Sequence, residues 1–136
     1  MSSIFTKIIN GEIPCHKVAE TEHYFAFLDI APFVEAHTLV IPKREVDYIF
    51  DLTDEELSGL ICFAKRVAKA IEEVTGCPRM ALAVMGLEVP HAHIHLGPIR
   101  SEGDFRPENR AKTPPTSDEL AETARKIRSV YERDNR

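Results

Sequence analysis

The 136 residues of this chain predict an α+β fold: an antiparallel sheet with one long helix, a short N-terminal helix and a C-terminal helix. Three observations lead there. Short runs rich in β-branched and aromatic residues, separated by turn residues, lie on both sides of one long amphipathic stretch. That stretch opens on a capping box and ends at a glycine. Near residue 91 the pattern changes to strict alternation, the period of a strand with two unlike faces.

Taken in order, Ile4-Phe5-Thr6-Lys7-Ile8-Ile9 suits a short helix ended by Asn10-Gly11, with Pro14 blocking continuation. Val18 to Leu28 reads as two strands flanking Glu20-Thr21-Glu22-His23, with Tyr24, Phe25 and Phe27 favouring the strand state. Ile30-Ala31-Pro32-Phe33 turns the chain into a strand over His37 to Ile41, stopped by Pro42. Thr53 and Glu56 form the capping box of the long helix, and Asp54, Glu55 and Glu56 suit the positive end of its dipole. Leu57, Leu60, Ile61, Ala64, Val67, Ala68, Ile71 and Val74 recur at three- and four-residue steps before Gly76 ends the helix. Cys62 falls in that pattern and reads as a small core residue. Met80 to Met85 and His91 to Ile99 read as strands. Residues 100–116, with Pro107, Pro114 and Pro115, read as a long loop or arm. Ser117 is the expected cap of a last helix whose stripe is Leu120, Ala124, Ile127 and Tyr131. The division is therefore residues 1–99 as a functional body and 100–136 as a C-terminal arm and helix of the same single domain. A sheet of this kind has open edges, and dimerisation is one way to cover them.

Composition narrows the function. Hydrophobic residues make up 43% and charged residues 29%, ordinary for a soluble globular chain, and no apolar run approaches a membrane span. Met1-Ser2-Ser3-Ile4 lacks a signal pattern. Cys15, Cys62 and Cys77 match no metal or redox spacing and read as reduced thiols, so a cytoplasmic setting is expected. Residues 1–99 hold 8 basic and 14 acidic side chains, a net of −6, and residues 100–136 hold 9 and 8, a net of +1. That excludes the basic stripe of a long nucleic-acid binder. A phosphate ligand must be small and held locally, with Lys43 or Arg44 as candidate neutralising charges.

The chemistry concentrates in Pro90-His91-Ala92-His93-Ile94-His95-Leu96-Gly97, which holds three of the six histidines. On a strand His91, His93 and His95 line one face and Ala92, Ile94 and Leu96 the other. The apolar face can be buried, holding the imidazoles in a row over a cleft. Zinc needs nitrogens about 2.0–2.1 Å away in a tetrahedral set. The backbones of His91 and His95 are roughly 13 Å apart at strand rise, so three-fold convergence on one ion is awkward. A phosphoryl ester, with its oxygens and leaving group spread over several ångströms, fits the row better. Neutral imidazole is a nucleophile and the protonated ring a donor, and both forms coexist near the unperturbed value of about 6.5. The central ring, flanked on both sides, is best placed to attack.

His91-Ala92-His93-Ile94-His95-Leu96 resembles the signature of the histidine triad superfamily, three histidines alternating with hydrophobic residues. The resemblance extends to Ile4-Phe5, Ile8 to Pro14, Ala26 to Ile30 and His37 to Lys43, covering about residues 3–99, and is nearest to the Hint-like nucleotide-binding branch. It implies a homodimeric α+β fold, a purine nucleotide as ligand, no cofactor and no membrane or long nucleic-acid partner. On that likeness His93 is the nucleophile forming a nucleotidyl-histidine, and His95 contacts phosphate oxygens. His91 orients the nucleophile and sits near the leaving group, and His37 supports the site. Asp29 holds the ribose hydroxyls, as suits an acceptor-only group. Ile4, Phe5, Ile8, Phe27, Leu28 and Ile30 form the slot for the base. The implied activity is cleavage at the α-phosphate of a purine nucleoside phosphoramidate or related conjugate. The alternatives are a nucleotide-binding regulatory module with little catalysis, a dinucleoside polyphosphate hydrolase and a metal-dependent hydrolase.

The chain departs from that pattern in several places. Leu87 stands at a position where many relatives carry glutamine, and residues 79–90 contain no Asn. Without those amides, backbone N–H groups near Glu88 and Val89 are the expected donors to phosphate. Gly97 stands where a hydrophobic residue is usual. Ser3, Thr6 and Glu45 replace two cysteines and a histidine that bind structural zinc in some bacterial relatives, so no metal is expected. The chain has no Trp, and residues 100–136 are its own.

Overall fold

The computed structural model describes residues 2–136. Five strands form one sheet in the order β1-β2-β3-β5-β4, each antiparallel to its neighbours. The strands are β1 (Lys17–Glu20), β2 (Tyr24–Leu28), β3 (Thr38–Pro42), β4 (Arg79–Ala83) and β5 (Ile94–Ile99). The helices are α1 (Ile4–Ile9), α2 (Asp54–Thr75) and α3 (Ser117–Asp134), with short 3₁₀ turns at Ile49–Asp51 and Pro107–Asn109. Among the described residues no helix is long and apolar enough to cross a membrane.

Strand register decides what each face of the sheet carries. Phe27 pairs with Leu39 and Phe25 with Ile41, and Leu39 in turn pairs with His95. The four apolar side chains pack with Phe5 of α1 in a smaller cluster. The alternate set, Ala26, Leu28, Val40, Ile94 and Leu96, faces α2 and α3 in the principal core. Leu60, Phe63, Val67 and Ile71 of α2 are fully buried there, each contributing about 1.5–3 kcal/mol. Leu120, Ala124, Ile127 and Tyr131 of α3 belong to that same core.

The capping box of α2 is present in both directions, and Gly76 ends the helix at φ +65°, where a Cβ would be strained. The other long helix is capped one residue before the position the sequence suggests: Thr116 caps α3 through a reciprocal pair with Glu119, and Ser117 is its first helical residue. β4 ends at Ala83 rather than Met85, and β5 starts at Ile94 rather than His91. Cys62 corrects the expectation of a core thiol. It is exposed, on the far flank of an α2 stripe already filled by Leu60, Phe63 and Ala64.

Gly97 explains its own departure from the pattern. A Cβ on it would lie 2.3 Å from a ring carbon of Phe105 and 2.8 Å from the Val34 side chain. The bare strand position is what allows Phe105, on the segment after β5, to fold back over the sheet. There its ring meets the rings of Phe33 at 5.2 Å and His37 at 4.9 Å, edge to face in both cases.

Candidate active site

A cleft of about 480 Å³ opens between α1, the end of β2, the loop before β5 and the 3₁₀ turn at 107–109. Ile4, Phe5, Ile8, Phe27, Leu28, Asp29, Ile30, Glu88, Val89, His93 and His95, all singled out from the sequence, line it. His91 and His37 do not. The picture of three imidazoles in a row over the cleft is therefore corrected to two: His91 is fully buried behind His93, and His37 lies behind His95. That also removes His91 from beside a leaving group.

Hydrogen bonds to backbone groups of fixed polarity settle where the ring protons sit. The N–H of Phe33 donates to Nδ1 of His37 at 3.0 Å, so a neutral His37 carries its proton on Nε2. That N–H lies 2.9 Å from His95 Nδ1, which must accept, leaving the His95 proton on Nε2. His93 Nδ1 lies 2.7 Å from the carbonyl oxygen of His91 and donates to it, so its Nε2 carries a lone pair. Among the described residues the Nε2 atoms of His93 and His95 have no hydrogen-bond partner. No buried side-chain nitrogen or oxygen among the described residues lacks one, so both reach the cleft's solvent. The two rings are 4.9 Å apart, centroid to centroid. A lone pair beside an N–H donor is what attack on phosphorus with stabilisation of a phosphoryl oxygen requires.

Burial keeps the relay uncharged. It is the main cause that lowers His37 to about 3 and His95 to about 4, with neighbouring histidine and Arg110 charges adding to it. His91 is lowered as well, again by burial, against an opposing pull from its bond to Pro42 and from Glu45. Local geometry holds His37 in place: Ala36 before it adopts φ +62°, a strained value for a non-glycine residue, and the Thr38 hydroxyl donates to the Ala36 carbonyl at 2.9 Å.

His91 closes a separate network. Its Nε2–H donates to the Pro42 carbonyl at 2.8 Å, and its Nδ1 accepts from the Ser3 hydroxyl at 2.7 Å. Glu45 Oε1 accepts from the Ser3 N–H and the Thr6 hydroxyl, each at 2.6 Å, and these bonds hold its carboxyl down at about 2. The Ser3 and Thr6 hydroxyls thus face His91 Nδ1, at 2.7 and 3.5 Å, with Glu45 bonded to both residues. Two neutral hydroxyls and one carboxylate do not make the thiolate and imidazole set of a structural zinc, and the set does not fit that ion. Asp29, His37 and His95 also bring one donor atom each within 4.8 Å of the others. An ion there would have to break the Phe33–His37–His95 hydrogen bonds.

Asp29, at 10% side-chain exposure, accepts from the Ala31 N–H at 2.8 Å. The same oxygen, Oδ1, also accepts from Arg110 Nη1 at 3.2 Å. Sequence reasoning missed Arg110, Phe33, Leu39, Cys15 and Pro107, all of which line the cleft. Arg110 is 81 residues from Asp29 in an arm with no periodicity, so no local signal points to it. The two cations that the sequence suggests instead are engaged elsewhere, Lys43 with Glu20 at 2.7 Å and Arg44 with Glu56 at 2.6 Å.

A family model described as the HIT domain matches residues 10–102. The adenosine 5′-monophosphoramidase of Saccharomyces cerevisiae is 42% identical over 100 residues, 73% of this chain and 63% of the yeast protein. The chain thus spans less than two thirds of that relative. A Hit-like protein from Bartonella henselae superposes with a TM-score of 0.82 at 31% identity, covering 95% of this chain and 96% of that one. A Zn-bound histidine triad family protein from Mycobacterium smegmatis gives 0.84 at 28% identity, over 99% and 96% of the respective chains.

Proposed function

From the premise that the chain belongs to the HIT domain family, we propose that it hydrolyses purine nucleoside 5′-phosphoramidates or related nucleotide conjugates at the α-phosphate. The observation that carries this reading is the pair of cleft-facing nitrogens, a lone pair on His93 Nε2 beside an N–H on His95 Nε2. His93 attacks phosphorus while His95 donates to a phosphoryl oxygen. The P–N bond of the substrate breaks, and the amine leaves with a proton taken from solvent. Water then adds to phosphorus, the bond to His93 breaks, and the nucleotide departs with the imidazole restored. Phe5, Ile8 and Phe27 offer an apolar slot for the base and Asp29 an acceptor for the ribose hydroxyls. His91 acts from behind, its carbonyl fixing the His93 tautomer. The activity of the yeast relative supports an adenine nucleotide phosphoramidate as first choice.

Purified protein is expected to release AMP and ammonia from adenosine 5′-phosphoramidate, faster than from dinucleoside polyphosphates. AMP binding without turnover on a panel of phosphoramidates and acyl-nucleotides would instead identify a binding module. Faster polyphosphate cleavage would overturn the substrate class.

The assembly is proposed to be a homodimer. Tyr48, Phe50, Ile61, Leu82, Val84, Met85 and Leu87 are exposed large apolar residues, and most of them border an apolar groove of about 560 Å³. β4 beside it is an outer strand of the sheet with one ladder unpaired. Sedimentation equilibrium should return about twice the 15.3 kDa chain mass. A mass of one chain at micromolar concentration would refute this assignment.

A further inference from the structure

Arg110 belongs to an ordered segment beyond the matched domain. Phe105 is seated over Gly97, and the Asn109 amide donates to the carbonyls of Gly103 and Asp104 at 2.8 and 2.9 Å. The Ala111 N–H bonds to the Pro32 carbonyl at 2.9 Å. Between these anchors Arg110 crosses the mouth of the cleft. Its Nη1 is 3.2 and 3.4 Å from the two oxygens of Asp29 and 2.7 Å from the Ala31 carbonyl, and its guanidinium carbon lies 4.7 Å from the centre of the Phe33 ring.

Among the described residues Asp29 faces one cation, Arg110; His37 Nδ1, 3.8 Å from Oδ2, accepts from the Phe33 N–H and offers the carboxylate no proton. Arg110 is charged at every accessible pH, and its Nη1, held by the Ala31 carbonyl and by the guanidinium's seat over Phe33, reaches both carboxylate oxygens. A carboxylate has about four lone-pair sites. The Ala31 N–H and Arg110 Nη1 meet on Oδ1, with a longer contact from Nη1 to Oδ2, so acceptor sites remain on a carboxylate that lines the cleft.

We propose that Arg110 is a positioning residue for ribose recognition, holding the Asp29 carboxylate turned toward the 2′- and 3′-hydroxyls of the nucleotide. This rests on the reading that Asp29 receives the ribose. Without the guanidinium, the Ala31 N–H alone holds the carboxylate, its orientation is no longer fixed, and the hydroxyls lose a preset acceptor. The C-terminal arm is therefore part of the binding site, although the domain match ends at residue 102.

The test compares adenosine 5′-phosphoramidate with its 2′,3′-dideoxy analogue in the wild-type protein, Arg110→Met and Arg110→Lys. Wild type should prefer the ribonucleotide by about ten- to a hundredfold in kcat/KM, the range for hydrogen bonds to a charged acceptor. In Arg110→Met the ratio of kcat/KM between the two substrates should fall most of the way to one, chiefly through a raised KM for the ribonucleotide. Arg110→Lys, which keeps one charged donor but not the planar group seated over Phe33, should recover part of the preference. Equal losses on both substrates, or full preference in Arg110→Met, would overturn the role given to Arg110. If wild type itself fails to distinguish the two substrates, the ribose assignment of Asp29 falls first.

Discussion

Replacing His93 with alanine is expected to remove turnover, by on the order of 10⁵-fold or more, while nucleotide affinity falls only a few-fold. The asymmetry follows from where the ring sits. Its Nδ1–H is spent on the His91 carbonyl, so the side chain offers the ligand one lone pair and little else. On the proposed reading, base and ribose are held by other residues that line the cleft. The alanine variant also leaves the His91 carbonyl without its imidazole donor, at a cost of about 1 kcal/mol, so its thermal midpoint must be read alongside. His93→Asn keeps a donor for that carbonyl and should be equally inactive. Rapid quench of the wild-type reaction should give a His93 peptide heavier by one nucleotide, and both variants should lack it. Turnover comparable to wild type in either variant would end the covalent route.

Acid should unfold the protein through its buried histidines. Unfolded, His37 and His95 titrate near 6.5; folded, burial holds them at about 3 and about 4. Between those limits the unfolded chain binds more protons than the folded one, so stability falls as pH falls. The contribution is complete above about pH 6.5 and is lost on descending toward pH 4 and then 3. Each histidine gives a slope of about 1.4 kcal/mol per pH unit inside its window. Two together remove several kcal/mol by about pH 4.5, comparable to the whole stability of a typical domain. Urea midpoints measured between pH 8 and pH 4 should be flat at first and then drop steeply. His37→Gln, neutral at every pH, should make the drop shallower. A profile unchanged by that substitution would show that the relay is not the acid-sensitive element.

The sheet and the long helix are legible in the sequence because both are written in short-range patterns. The Thr53–Glu56 box, the alternation of Ala92, Ile94 and Leu96, and the α2 stripe apart from Ile61, which is exposed, are found in the structure. The same alternation misleads about the site, since a face shared by three histidines says nothing of depth. His91 is sealed by α1 through Ser3, a contact spanning 88 residues. Cys62 shows the related limit that periodicity gives a stripe but not its edge. Ribose and base residues are found through the family pattern, whereas Arg110 and Phe33 become site residues only through contacts the pattern does not contain.

Gly97 gives the tail a keyhole. Phe105 is the key, and any side chain at position 97 would meet its ring at less than van der Waals distance. Tail exchange between homologues is therefore not a free operation. A chimera that imports residues 100–116 onto a body with a branched residue at this strand position would find the lock filled. It would lose the aromatic plug and, with it, the cation that the plug brings to Asp29.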